Sequence, residues 1–409
     1  MQENPKDRVE SFHLTRVQLA DVRGFRNLVL DLETAEGSPR PLTLVIGKNG
    51  TGKSTLLRAI AAGIAPIEEA GRMVGSPLAG LVRHGEAFGL IRSHFGSTRE
   101  NSSRIVRVDR THTGETLQLQ AWPDWNLFLC GYGAGRYGTK TEQSPGYRAS
   151  AAVSSLFRYE QALLDPELTL YRLKSVFGSE IYDRTLLGLK RALGLRAEDD
   201  IGPRKGGGIE VSGPSVGGTI PFEAWADGYR LTFSWILDLY GWAMQAEAID
   251  EDGHVQGILL IDEIEQHLHP SMQAEILPRL SELLPRMQIF ATTHSPLVAL
   301  DAKPEELVVL RREGDEVVAE QNVPDFAGYS VEDMLADPRL FDSEVYGGDM
   351  RLKLSRYREL AAVPRPERSA QTRGELRSLA TELRSIERPA AAENETSRLL
   401  KELVAKYDL

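Results

Sequence analysis

The segment LTLVIGKNGTGKSTLLRAIAAG, residues 42–63, constrains the fold of this 409-residue chain more than any other stretch. An apolar run suited to a buried strand leads into the spacing G-x-x-x-x-G-K-S from Gly47 to Ser54, and apolar residues then recur at helical spacing. Glycines let a backbone wrap closely round an anion, so that successive N–H groups and the positive end of the next helix converge on phosphate oxygens. The order strand, loop, helix therefore predicts a phosphate-binding loop in an α/β protein. On that reading Gly47, Asn49, Gly50, Gly52, Lys53, Ser54 and Thr55 cradle a nucleotide such as ATP. Lys53 meets the β and γ phosphates, and the Ser54 hydroxyl ligates Mg2+.

Such a loop requires acids at a second strand end, and GILLIDEIEQHLHP supplies them. A continuous Ile/Leu run suits a parallel strand buried on both faces, and it stops at Asp262 and Glu263, which gives it the look of a Walker B strand. Asp262 is read as holding Mg2+ through water, and Glu263 as the general base for the attacking water. A third strand, MQIFATTHSP, ends at His294, whose imidazole would reach the γ phosphate or that water if the two strand ends are neighbours. Lys53, Glu263 and His294 are thus the candidate catalytic residues. His267 and His269 form an H-x-H pair, but no Cys or His cluster completes a metal site around them.

Composition sets outer limits. With 41% apolar and 26% charged residues the chain reads as a soluble globular protein, and a net charge of −11 argues against coating nucleic acid by bulk charge. Arg83, Arg92, Arg99, Arg104, Arg107 and Arg110 form a local Arg-rich region, read either as a solvated face or as a patch able to meet nucleic acid. The lone Cys130 allows no internal disulfide, and the first residues carry no signal-like run, so a reducing cytoplasm is expected. The apolar stretch at 231–244, interrupted by Asp238, falls short of the roughly 20 residues a bilayer demands and predicts a buried helix.

Taken together, RVQLADVRGFRNLVLDL, the phosphate loop, WADGYR, LLIDEIEQHLHP and IFATTHSP resemble, in this order, the ABC-type ATPase heads shared by Rad50, SMC, RecF and OLD-like proteins. EIEQHLHP and DGYR favour the OLD-like branch over a transporter subunit, and FLCGYGAGRYG is similar to the PtuA-type ATPases of Septu and retron antiphage systems. The resemblance implies a P-loop NTPase head with a mixed sheet that binds ATP and Mg2+. It also implies that WADGYR is a signature loop covering ATP held by a second protomer, with Asp227 and Gly228 in contact and a helix starting near Tyr229. Ala226 replaces the usual serine, which implies slow hydrolysis or reliance on backbone amides. Arg136, and less strongly Gln143, is a candidate phosphate sensor.

The expected organisation is an ATPase head over residues 1–325, comprising an N-terminal lobe (11–65), an insertion or lid (66–220) and a lobe from signature to histidine (221–325). Weak strands in the insertion precede a helical stretch at 149–195, and no heptad run long enough for a coiled-coil arm is present. The glycine-rich segment GPRKGGGIEVSGPSVGG reads as a loop or hairpin. Residues 326–409 form a helical extension in which Leu376, Leu379, Leu383 and Ile386 make a stripe suited to a partner or oligomer interface. The function expected is an ATPase that dimerises, or forms a higher homo-oligomer, around ATP and regulates a separate effector such as an HNH nuclease in antiphage defence. A RecF-like DNA-repair ATPase and a slowly hydrolysing assembly module are the alternatives. No membrane partner is expected.

Overall fold

The apolar run before the phosphate loop forms the strand Leu42–Gly47, buried at every position. A computed structural model describes residues 12–74, 80–96, 101–120, 127–140, 146–158, 161–204, 206–321, 323, 326, 328–341, 348–364 and 368–384. It divides into two compact units, Met1–Asp342 and Ser343–Leu409.

In the first unit the phosphate-loop strand lies parallel to Arg286–Thr292 on one side and to Leu307–Glu313 on the other. Beyond Arg286–Thr292 come Gln256–Ile261 and then Leu129–Tyr132, also parallel, while Glu316–Glu320 closes the opposite edge antiparallel. Alternate residues of these strands enter two separate cores. Leu44, Ile46, Leu259, Ile261, Ile289 and Ala291 face one, and Val45, Ile258, Leu260, Phe290 and Val308 face the other. A sheet buried on both faces explains why the sequence runs are continuously aliphatic rather than alternating.

The first core is completed by the helices Pro166–Ala192, Asp227–Gln245 and Ile276–Leu283. The second lies between the parallel sheet, the phosphate-loop helix Lys53–Ile64, and an antiparallel sheet built from His13–Val22, Phe25–Asp31, Phe88–Gly96, Asn101–Thr111 and Gly114–Gln120. Gln288 pins the two sheets together, accepting from the Leu14 N–H (2.8 Å) and donating to the Leu14 carbonyl (2.9 Å). This is the mixed-sheet α/β head expected from the sequence. Residues 66–220, read there as an insertion, also supply three strands of the antiparallel sheet and the edge strand of the parallel one.

The helical stretch expected at 149–195 is broken. Two single-turn helices and a strand, Gln161–Leu164, precede the helix Pro166–Ala192, which kinks at Gly178 (φ 78°). Asp165 stops any earlier helix, because its carboxylate caps the N–H groups of Glu167 and Leu168 and Pro166 fills the first turn. The glycine-rich segment becomes part of a three-stranded antiparallel sheet, Asp200–Pro203, Ile209–Gly213 and Gly218–Pro221.

The Arg-rich region splits by role. Arg104 is 1% exposed and caps the phosphate-loop helix, donating to the carbonyls of Ile64 (2.8 Å) and Ala65, where the helix dipole is negative. Arg83 donates to Arg23, Gly24 and Asp315, and Arg110 to the carbonyls of Val82 and Arg83. Arg92 is exposed, and Arg107 pairs with Asp109; Arg99 lies outside the described residues.

Phe326, Met334, Leu340 and Phe341 belong to the first core, so the extension expected from residue 326 begins as part of the head. The second unit is a helical hairpin, Gly348–Ala362 and Ala370–Arg384, in which Tyr357, Leu360 and Ala361 pack on Leu376 and Ala380 with Leu379 alongside. Leu376 and Leu379 of the sequence stripe therefore serve the hairpin's own core; Ile386 lies outside the described residues. Among the described residues no helix is long and apolar enough to cross a membrane.

The stretch around Asp238 forms the buried helix expected, and burial has a consequence there. Its carboxylate accepts from the Tyr132 hydroxyl and the Leu164 N–H, both at 2.7 Å, yet burial pushes its pKa up to about 6 from 3.8. The folded chain then holds a proton that the unfolded chain releases, so the group's stabilisation is greatest below the unfolded value and declines as pH rises through this window. Relative to the parent, Asp238→Asn should gain roughly 3 kcal/mol in unfolding free energy between about pH 4 and about pH 7, measured by denaturant titration. Parallel pH profiles for the two proteins would contradict this.

Candidate nucleotide site

Three motifs that are far apart in sequence end side by side. In the parallel register Ile261 faces Ala291 and Thr292 faces Val45, so the chain leaves the sheet at Gly47, Asp262 and Thr293 along one edge, the carboxyl ends where open α/β sheets bind ligands.

The phosphate loop turns at Gly50 (φ 79°) and Gly52 (φ 88°), and Gly52 caps the helix Lys53–Ile64 in the left-handed region. The first N–H groups of that helix lack intrahelical partners and suit an anion. Gly47 has a different constraint: a Cβ there would meet the Leu310 carbonyl oxygen at 2.5 Å, so a side chain is excluded by sheet packing. Lys53, 5% exposed, folds back to donate to the carbonyls of Gly47 (2.7 Å) and Lys48 (3.2 Å). Burial lowers its pKa to about 8, and Asp262, Glu263 and Glu265 oppose that shift.

His294 Nδ1 lies 3.5 Å from Lys53 Nζ. Burial first and then the Lys53 charge lower the imidazole's pKa, which favours the neutral ring. Its loop is fixed by a residue that sequence reasoning passed over. The Glu265 carboxylate accepts from the Thr293 hydroxyl (2.7 Å) and the His294 N–H (2.6 Å). Thr292 is another, donating through Oγ1 to Asp262 Oδ1 (2.6 Å) and accepting the Glu263 N–H (2.9 Å). One threonine thus orients both acids from the neighbouring strand, and Asp262 Oδ2 stays uncommitted among the described contacts.

Glu263 adopts φ 49°, a left-handed conformation that costs a non-glycine residue about 1–2 kcal/mol. Arg136 offsets this, donating to the carbonyls of Asp262 (2.8 Å) and Glu263 (2.9 Å), bonds of a charged donor that contribute about 1.5–3 kcal/mol each. Burial, then Asp262 and Glu265, raise the Glu263 pKa, with Arg136 and Lys53 pulling the other way. A raised carboxyl pKa suits a general base. Gln143 lies outside the described residues.

The donor set fits a magnesium nucleotide. Glycine turns and a helix N-terminus face the anion, an ammonium stands within the loop, and Ser54 and the Thr292-oriented Asp262 offer hard oxygen ligands of the kind Mg2+ requires. His269 Nδ1 meets Ser271, and His267 takes φ 66° with its carbonyl turned to Gly228.

The helix expected near Tyr229 starts two residues earlier, at Asp227, with Ala226 at its N-cap and no side-chain cap. Asp227 is exposed and pairs with Arg230 (2.6 Å). A Cβ on Gly228 would sit 2.4 Å from the His267 carbonyl oxygen, so this glycine is demanded by a contact within its own chain. Trp225 stacks on Tyr229 at 5.1 Å and anchors the loop to the core.

Comparisons with known proteins agree with the motifs. Residues 16–144 match a family described as an AAA domain, and residues 215–301 match "AAA domain, putative AbiEii toxin, Type IV TA system". The chain is 25% identical over 379 residues, 92% of its length, to the Septu protein PtuA of Bacillus mycoides (strain KBAB4). It spans about half of that relative, 51%. Over 42 residues, 10% of this chain and 8% of the relative, it is 57% identical to the Retron Ec83 probable ATPase of Escherichia coli. The SMC head domain from Thermotoga maritima aligns with 76% of this chain and 100% of its own, at 13% identity and a TM-score of 0.44. The chain is thus similar over most of its length to the Septu protein PtuA, and two of its segments, which include the phosphate loop and the acid and histidine strand ends, match AAA-domain families.

Proposed function

We propose that the protein is an ATPase that binds magnesium ATP at the edge formed by Gly47, Asp262 and His294, closes as a dimer around it, and controls a separate effector in antiphage defence. The observation that carries this reading is the convergence of the phosphate loop, the acid pair and His294 on adjacent parallel strand ends, with Lys53 Nζ 3.5 Å from His294 Nδ1. The likeness to the Septu and retron ATPases supports the biological half of the proposal.

In this mechanism the phosphate-loop amides and Lys53 hold the β and γ phosphates, and Ser54 and Asp262 hold Mg2+, which neutralises phosphate charge when bound. Glu263 takes the proton of the attacking water, and neutral His294 bonds to the γ phosphate or to that water. The signature region, Ala226 to Gly228, of a second copy covers the nucleotide from the other side. With no hydroxyl at Ala226, that contact rests on the first amides of the helix Asp227–Gln245. The effector, such as an HNH nuclease, is a separate chain on this reading, and the second unit's hairpin is a surface for it. The acidic net charge favours this regulatory role over one in which binding to duplex DNA is central.

Lys53→Ala should weaken ATP affinity by at least about tenfold in isothermal titration, because a charged hydrogen bond to phosphate is lost. An unaltered dissociation constant would remove Lys53 from the phosphate site. Glu263→Gln should retain ATP, lose about 100-fold or more of its turnover and lengthen the lifetime of ATP-bound dimers in size-exclusion chromatography. Unchanged hydrolysis would sink the base assignment. Ala226→Ser should raise turnover several-fold by restoring a hydroxyl at the signature cap, and its melting temperature should rise as well, since serine also caps the helix. A higher melting temperature with flat turnover would mean that backbone amides already suffice.

A further inference from the structure

Arg136 opens the strand Arg136–Lys140, just past the edge strand of the parallel sheet, and is 3% exposed. Burying a guanidinium is expensive unless its donors are used. Both terminal nitrogens are used on main chain: Nη1 reaches the carbonyls of Gly133 (3.2 Å) and Asp262 (2.8 Å), and Nη2 that of Glu263 (2.9 Å). Among the described residues its hydrogen bonds go to carbonyls and none to a carboxylate. These two consecutive carbonyls belong to the peptide segment in which Glu263 takes its left-handed conformation. The chain beyond the turn is held by backbone donors: the Ile264 N–H bonds to the Thr292 carbonyl (3.0 Å), and the Gln266 N–H shares the Glu263 carbonyl (3.0 Å).

From this geometry we infer that Arg136 is a positioning residue for the acid turn: its planar fork spans the Asp262 and Glu263 carbonyls and so fixes the direction of the Glu263 side chain, without touching phosphate. The sequence suggested a phosphate sensor at this position, but the guanidinium is 3% exposed and each terminal nitrogen is bonded to backbone carbonyls, which turns it toward the acid turn. The fork matters because its terminal nitrogens are held rigidly in one plane, whereas a lysine ammonium can reach carbonyls, as Lys53 does, without fixing their relative direction. Thr292 and Arg136 then grip the same turn from opposite sides, the first through Asp262 Oδ1 and the Glu263 N–H, the second through the carbonyls.

The inference rests on the ATPase reading above, so its test includes a readout independent of turnover. In the full chain, Arg136→Lys should keep the ATP dissociation constant and KM within about twofold while kcat falls about 10- to 100-fold, the effect of a misaimed group. Because both changes act through one carboxylate, the double variant Arg136→Lys/Glu263→Gln should turn over no more slowly than Glu263→Gln alone. A crystal structure of Arg136→Lys should show Glu263 out of the left-handed region. Should Arg136→Lys not fold, Arg136→Gln, which retains one carbonyl donor, takes its place in each measurement. An ATP affinity loss above about tenfold would restore the sensor role and overturn the inference, as would unchanged kcat, additive losses in the double variant, or an unmoved Glu263 turn. If the parent chain hydrolyses no ATP, the ATPase reading fails, while the position of Glu263 in the crystal still decides the role of Arg136.

Discussion

The site depends on the parallel pairing of three strands, Leu42–Gly47, Arg286–Thr292 and Gln256–Ile261, whose registers bring an ammonium, an imidazole and three carboxylates to one edge. Burial, then the neighbouring acids, raises the Glu263 pKa, and burying an ammonium lowers that of Lys53. Each shift is moderated by the opposite charges nearby, so the cluster is a balance rather than a set of independent groups. In the mechanism proposed above, a ligand bearing several negative oxygens would alter that balance and draw Lys53 from the Gly47 and Lys48 carbonyls on which it rests.

Second contacts turn this cluster into a fixed geometry. Thr292 orients Asp262, Glu265 ties the histidine loop to the acid loop, and Arg136 holds the carbonyls of the acid turn. The acid loop also touches the signature helix, because the His267 carbonyl leaves no room for a side chain at Gly228. A displacement of the helix Asp227–Gln245 would therefore press on the loop carrying Glu263. In the dimer proposed above, this contact would couple the surface covering one nucleotide to the acids serving the other.

Much of this was legible in the chain. Phosphate-loop spacing, aliphatic runs ending in acid, and a strand ending in histidine each carry a local signal, and the head's sheet follows from them. The long-range partners were less visible. Glu265 looks like one more surface acid in EIEQH, and Thr292 like a strand residue in ATTH, since their roles are set by side chains about 30 positions away. Arg136 reads as a candidate phosphate sensor in the sequence, and nothing local says that it would face carbonyls. The helix break at Asp165–Pro166 carried an N-cap signal that helical periodicity overshadowed.

By itself, the sequence determined which segments are buried strands, where the backbone must turn tightly, and which residue types can meet phosphate, because these follow from spacing and steric limits over a few neighbouring positions. Only the tertiary structure decided which strand ends adjoin, that Gly228 answers to His267 within its own chain, and that Arg136 spends its charge on two carbonyls. Those outcomes depend on contacts between segments up to about 240 residues apart, and a side chain's partner across that distance is fixed by packing and register rather than by anything written beside it.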